Sequence, residues 1–313
     1  MTIAKLLDIK YPILQGGMAW IAEAGLAAAV SNGGGLGLIA AGSADADFVR
    51  AQVRRARELT DKPFGVNVML MNPAAGDIIA MLCEEKVAVA TTGAGNPGKY
   101  VPDLKEAGVK VIPVVSNVAL AVRLARVGAD ALIAEGQEGG GHIGELTTMA
   151  LVPQVCDAVD VPVIAAGGIA DGRGIAAAFM LGASGVQVGT RFLSATECIV
   201  SQPYKDRVLK AKDSDTVVTG RPTGHPVRVL KNKFSKEALA LEKKDDLSFE
   251  EYEDFLSGTL RAAVVDGDVD HGSLMSGQIA GLVKREQPAA EIISEMFGEA
   301  STIYNNRGKE LSW

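Results

Sequence analysis

With 313 residues, 36 glycines and only 5% aromatics, the chain has the length of an α/β barrel plus an addition, and the small, branched composition of a parallel sheet buried between helices. A net charge of −7 excludes a general nucleic-acid binder, which needs a broad basic field; no apolar run approaches the roughly 20 residues of a membrane helix and Met1 to Lys10 holds no signal-peptide core, so a cytoplasmic protein without membrane attachment is expected. The three cysteines, Cys83, Cys156 and Cys198, stand far apart with no CxxC spacing and read as reduced core thiols, with neither a metal site nor a disulfide frame.

Short apolar runs recur at Pro12–Gln15, Leu36–Ala40, Phe64–Met69, Val87–Thr91, Lys110–Val115, Ala131–Glu135, Pro162–Ala166 and Gly185–Gly189. Amphipathic stretches such as Ala46–Leu59, Val118–Val127 and Ile175–Leu181 separate them, and several end on glycine (Gly108, Gly128, Gly182), which closes a helix in the left-handed conformation. Eight such units predict an α/β fold, a (β/α)8 TIM barrel, over residues 1–198. An open doubly wound sheet is the structural alternative, but nothing suggests the reversal of strand order it requires. From Ile199 to Lys236 nine Lys or Arg accompany three acids, so this segment is +6 while the remainder is −13. An acidic helical stretch, Glu237–Phe255, a loop at Gly267–Gln278 and a further helix at Pro288–Phe297 follow. Residues 199–313 are therefore predicted to form a smaller C-terminal substrate-binding or lid domain, with the last helix suited to packing back on the barrel.

The stretch with most chemical character is Glu135-Gly136-Gln137-Glu138-Gly139-Gly140-Gly141-His142-Ile143-Gly144, which leaves the C-terminal end of the sixth strand. A glycine run does not hold one conformation by itself, so His142 is expected on a mobile loop positioned by the ligand it wraps. The bland reading is a flexible surface loop with a solvated histidine.

Other strand ends agree with the first reading. Gln15-Gly16-Gly17-Met18-Ala19 lets backbone approach a flat ligand, and Asn67 is an amide able to read an imide-like ring edge. Thr91-Thr92-Gly93-Ala94-Gly95-Asn96-Pro97 is small and polar, while Ala165-Ala166-Gly167-Gly168-Ile169-Ala170-Asp171 and Gln187-Val188-Gly189-Thr190-Arg191 lie where barrels of this type bind phosphate. Singly these are a tight turn or a helix cap; jointly they describe a pocket that flavin mononucleotide (FMN) satisfies. The run Gly33-Gly34-Gly35-Leu36-Gly37 precedes a strand and so lacks the context of a dinucleotide fingerprint.

These motifs, with Gly34-Gly35-Leu36-Gly37, Pro63-Phe64-Gly65-Val66-Asn67, Gly224-His225-Pro226-Val227-Arg228 and Ser276-Gly277-Gln278-Ile279-Ala280-Gly281-Leu282-Val283, resemble the FMN-dependent enoyl-acyl-carrier-protein reductase II family over nearly the whole chain. The nitronate monooxygenases share the barrel and many of the motifs, but tend to carry Arg where this chain has Ile143. Gly139 stands where the reductases often have Ala, which loosens the loop without removing a functional group. The resemblance implies an FMN-binding set of Gly16, Gly17, Met18, Ala19, Asn67, Thr91, Glu135, Gly141, Ala166, Gly167, Gly168, Gln187, Gly189, Thr190, Met275 and Gln278, with His142 as the catalytic residue. It implies NADH or NADPH as cosubstrate and hydride delivery to the β-carbon of a trans-2-enoyl thioester, whose enolate His142 stabilises or protonates. His225 and His271 lie outside the barrel loops; Arg191 reads as either an ion pair or a phosphate contact. The basic segment, Lys205, Arg207 and Lys210 foremost, is a candidate docking lip for an acidic acyl carrier protein, or else an ordinary solvated helix face. A homodimer is expected. A nitronate monooxygenase using O2 and a non-catalytic phosphate-binding barrel are the competing functions.

Overall fold

The computed structural model describes residues 2–244 and 246–310. Eight parallel strands, β1 (Ile13–Gln15), β2 (Gly37–Ala40), β3 (Phe64–Met69), β4 (Val89–Gly93), β5 (Lys110–Val115), β6 (Leu132–Glu135), β8 (Val163–Ala166) and β9 (Gly185–Val188), form one sheet. Its order, β1-β9-β8-β6-β5-β4-β3-β2, brings the first and last strands round to each other, and a parallel bridge between Leu14 and Leu36 joins the two edges. The predicted (β/α)8 barrel is the fold of this chain.

Although the strands read as continuous apolar runs, their residues divide by alternation. Leu14, Leu38, Ile112, Ile133 and Ile164 pack inside the barrel, whereas Ile13, Ile39, Val111, Leu132 and Val163 face the helices. The short helix Ile3–Leu7 adds fully buried Ile3 to the interior cluster and caps the N-terminal end. Only the C-terminal strand ends remain open.

A second sheet consists of β7 (Gly141–His142), β10 (Thr216–Thr219) and β11 (Val227–Leu230), with β11 central and antiparallel to both neighbours. It joins the glycine-rich segment after β6 to residues about 85 positions later. Helices Lys233–Leu241 and Phe249–Leu256 cover this addition. The final helix, Ala289–Glu310, packs against Gly172–Met180 and Ala24–Asn32. Glycine is required at this seam: a Cβ on Gly172 would stand 2.4 Å from the Ala300 nitrogen, and one on Gly33 2.9 Å from the Ala290 Cα.

Candidate active site

The open end of the barrel leads to a cavity of about 520 Å³. On one side its wall is backbone. Gly167 and Gly168, following β8, have φ of +87° and +75°, and a Cβ on Gly167 would lie 2.7 Å from the Gly136 carbonyl oxygen. Both left-handed geometry and space therefore demand glycine here. Ala166, Gln187, Gly189 and Thr190 line the same wall. Thr190 also ties the barrel to the addition, its Oγ1 accepting from the Gly277 N–H at 2.8 Å.

At the ends of β1 and β3, Gly16, Gly17, Met18, Ala19 and Asn67 border the cavity. The need for Gly17 is a side chain: a Cβ there would come within 2.3 Å of the Asn67 Cβ. Thr91 Oγ1 donates to Asn67 Oδ1 at 2.9 Å, which orients the amide. Thr91 itself is fully buried and does not line the cavity; it supports Asn67 from behind.

Glu135 ends β6 and lines the cavity, with its carboxyl group beside Gly139. Surrounded by protein except for its opening to the cavity, the carboxyl is pushed up by burial to about 7.

The histidine loop is not the mobile segment expected from its glycines. Gly141 and His142 pair with Arg228 and Val227, and the Ile143 N–H donates to the Pro226 carbonyl at 3.1 Å. Arg228, buried despite its charge, donates from Nε to the Gln137 carbonyl at 3.0 Å. The Gln278 N–H donates to the Glu138 carbonyl at 2.9 Å, and Glu138 in turn accepts from the Thr148 N–H through both carboxylate oxygens, 3.0 and 2.9 Å. Placed at the start of helix Thr148–Ala158, that carboxylate satisfies an otherwise orphaned donor and complements the helix dipole. Gly140 allows the crossing, since a Cβ there would meet the Gly277 nitrogen at 2.7 Å. The glycines serve close approach between loops, and backbone bonds to the addition hold the chain at the histidine.

His142 lines the cavity together with Gly141, Met275 and, unexpectedly, His225. His142 is exposed to the cavity, and its pKa is lowered, first by desolvation from the surrounding protein and next by the electrostatic influence of His225, with Glu253 opposing. The imidazole is held toward its neutral form.

The family model described as nitronate monooxygenase matches residues 1–81 and 78–299. The chain belongs to the nitronate monooxygenase family. It is similar to the structure of FabK from Thermotoga maritima, with 50% identity, a TM-score of 0.94 and 99% of each chain covered. It is also 36% identical, over 96% of each chain, to the (3aS,4S,5R,7aS)-5-hydroxy-7a-methyl-1-oxo-octahydro-1H-indene-4-carboxyl-CoA dehydrogenase of Mycobacterium tuberculosis. A probable nitronate monooxygenase of Staphylococcus saprophyticus is 35% identical, covering 97% of this chain and 98% of the relative.

In this nitronate monooxygenase family member Gln278, Arg191 and Lys205 have places other than those their sequence positions suggested, whereas His271 and Cys198 lie as expected. Gln278 is exposed outside the cavity and contributes its backbone alone. Arg191 donates to Ser194 Oγ and Gln287 Oε1, both at 2.6 Å, and so braces the addition. Lys205 is 5% exposed, with Nζ donating to the Ala195 carbonyl at 2.9 Å and Glu286 3.4 Å away, so it belongs to the interior. His271 is exposed beside Asp268 at 3.5 Å. Cys198 is buried, its thiol pushed up to about 11 by burial. No group of three or more His, Cys, Asp or Glu able to hold a metal occurs among the described residues, and no helix there is long and apolar enough to cross a membrane. Sequence reading missed Glu138 and Thr148; its one available signal was an acid in a glycine loop shortly before a helix N-terminus.

Proposed function

We propose that this family member is an FMN-dependent enoyl-thioester reductase that saturates trans-2-enoyl groups on acyl carrier protein, with NADH or NADPH as electron source. The observation that carries this reading is that one cavity is lined by both the left-handed Gly167–Gly168 backbone and His142. The residues fit FMN: a left-handed glycine pair suits phosphate, and Asn67, its Oδ1 engaged by Thr91, keeps its Nδ2 donors for the pyrimidine edge. Gly16, Gly17, Met18 and Ala19 border the space for the ring. The likeness to FabK, an enoyl-acyl-carrier-protein reductase, supports the same substrate class, as does a relative named for a CoA thioester.

Bound and reduced, FMN supplies a hydride to the β-carbon of the enoyl group. The protein must then stabilise charge on the thioester oxygen and bring a proton to the α-carbon. His142 performs this work: neutral imidazole presents an N–H to the oxygen, and the ring is suited to relaying a proton near neutral pH. The pairing with β11 fixes the backbone at His142, which limits the positions the ring has to search.

For carrier docking, Arg207, Lys210 and Lys212 are exposed on the basic segment, whereas Lys205 is unavailable. Charge reversal at Lys210 and Lys212 is expected to raise KM for the carrier-linked substrate but leave a CoA or N-acetylcysteamine substrate unaffected. Equal effects on both substrates would remove the docking reading. The same reading makes the protein a cytoplasmic homodimer, which the mass of the purified protein in solution checks.

The family match and the staphylococcal relative favour a second reading, a nitronate monooxygenase in which His142 acts as base and O2 as oxidant. Anaerobic NAD(P)H oxidation with crotonyl carrier protein supports the reductase. O2-consuming turnover of a nitronate without NAD(P)H supports the monooxygenase. A colourless protein that takes up no FMN leaves only a phosphate-binding barrel.

A further inference from the structure

The site contains a second imidazole. His225 lines the same cavity as His142 and is brought there by the addition. Antiparallel pairing of Val227 with His142, continued by the hydrogen bond from Ile143 N–H to the Pro226 carbonyl, sets His225 across from Gly144 and diagonal to His142. Diagonal neighbours on one face of such a pair lie about 7–8 Å apart, close enough for two imidazoles to converge on one small group. Gly144 offers no side chain that would stand between them and the cavity.

His225 is held as firmly as His142. Its N–H donates to the Gly220 carbonyl at 3.1 Å, and its ring packs on Phe249 with centroids 5.6 Å apart. Gly220, at φ +78°, donates its own N–H to Glu242 Oε1 at 2.7 Å, and the Tyr252 hydroxyl donates to the same oxygen. Among the described residues this network serves the turn that presents His225. A merely structural histidine would not need to face the cavity.

Resting on the enoyl-thioester reading above, we propose that His225 is a second substrate-contacting residue, which with His142 forms a two-donor site for the thioester oxygen. Each imidazole donates one N–H, from β7 and from the turn preceding β11. Two fixed donors stabilise the developing oxyanion without reorganisation, which one histidine and a mobile solvent molecule would not achieve. The electrostatic coupling between the rings is consistent with their closeness.

His225→Met and His225→Gln test this, because the two side chains match in length and differ in possession of a donor. With crotonyl thioester, Met is expected to lower kcat by about 100-fold, the usual effect of losing one oxyanion donor, while Gln recovers to within about tenfold of wild type; FMN content stays unchanged. An independent readout is titration of His142 by NMR, tractable with three histidines in the chain. Removing His225 should raise the His142 midpoint in both variants, against a background of Glu253, Glu135, Glu138 and Arg228, which are retained. Equal kcat for Met and Gln, or an unmoved His142 titration, overturns the proposal, even if both variants are impaired for structural reasons. His271→Gln is the control and should match wild type. A wild-type protein inactive on enoyl thioesters would overturn the reductase reading and this proposal together; an active wild type with an unaffected Met variant overturns this proposal alone.

Discussion

At the ends of β8 and β9 the cavity wall is backbone, set by two consecutive left-handed glycines and by strands whose neighbours lie close in the chain. Another part of the lining carries two histidines, held by a hairpin that returns from residues 216–230 to pair with residues 141–142. One wall is local and rigid because the barrel is rigid. The other is rigid only through long-range contacts, chiefly the β7–β11 pairing and the buried guanidinium of Arg228. Under the proposed function the first wall retains the cofactor and the second carries the reactivity, so substitutions should separate them.

The sharpest separation should come from His142→Ala. Turnover is expected to fall by about 10³-fold while flavin stays bound, measured by kcat and by the absorbance of the purified protein. Loss of flavin would show that the second wall also retains the cofactor. Gly167→Ala tests the first wall. Left-handed strain of about 1–3 kcal/mol, added to the approach to the Gly136 carbonyl, should weaken FMN by at least tenfold in a fluorescence titration.

Arg228→Met should leave flavin affinity unchanged and reduce kcat by about tenfold. It removes a charged donor worth about 1.5–3 kcal/mol from the Gln137 carbonyl, yet the loop retains the pairing of β7. An equal loss of FMN would mean that the walls are mechanically coupled. The smallest effect concerns Glu135 and pH. Its folded pKa, about 7, lies above the ordinary 4.5, so the folded state binds the proton more tightly. The associated stability is complete below about 4.5 and is lost as pH rises through about 7. Flavin-free Glu135→Gln should therefore melt a few degrees above wild type at pH 8, with the gap closing toward pH 5. A gap independent of pH would show that Glu135 titrates alike in the folded and unfolded states.

How far the sequence was legible follows from the range of the interactions. Each barrel strand was visible because it is short, apolar and bounded by turn residues. The glycine pair after β8 was equally visible, since its conformation is a property of two adjacent residues. Asn67 and His142 were visible as polar groups at strand ends, but the reasons for their neighbours were not. Gly17 makes room for Asn67, Thr91 orients it, and Gly140 admits Gly277. A glycine written in sequence does not say whether it supplies flexibility or proximity; only the atom a Cβ would strike decides.

The charged segment illustrates the same limit. Counting +6 over Ile199 to Lys236 treats all nine cations alike, whereas Lys205 and Arg228 are buried and hydrogen-bonded to carbonyls. The sequence by itself determined the barrel, the reactive end of its strands and the backbone wall at Gly167–Gly168, because periodicity and local dihedral preference act between near neighbours. Tertiary structure alone decided that His142 is held by β11 and that His225 stands beside it. Those placements depend on the register of two strands about 85 residues apart, which no local pattern records.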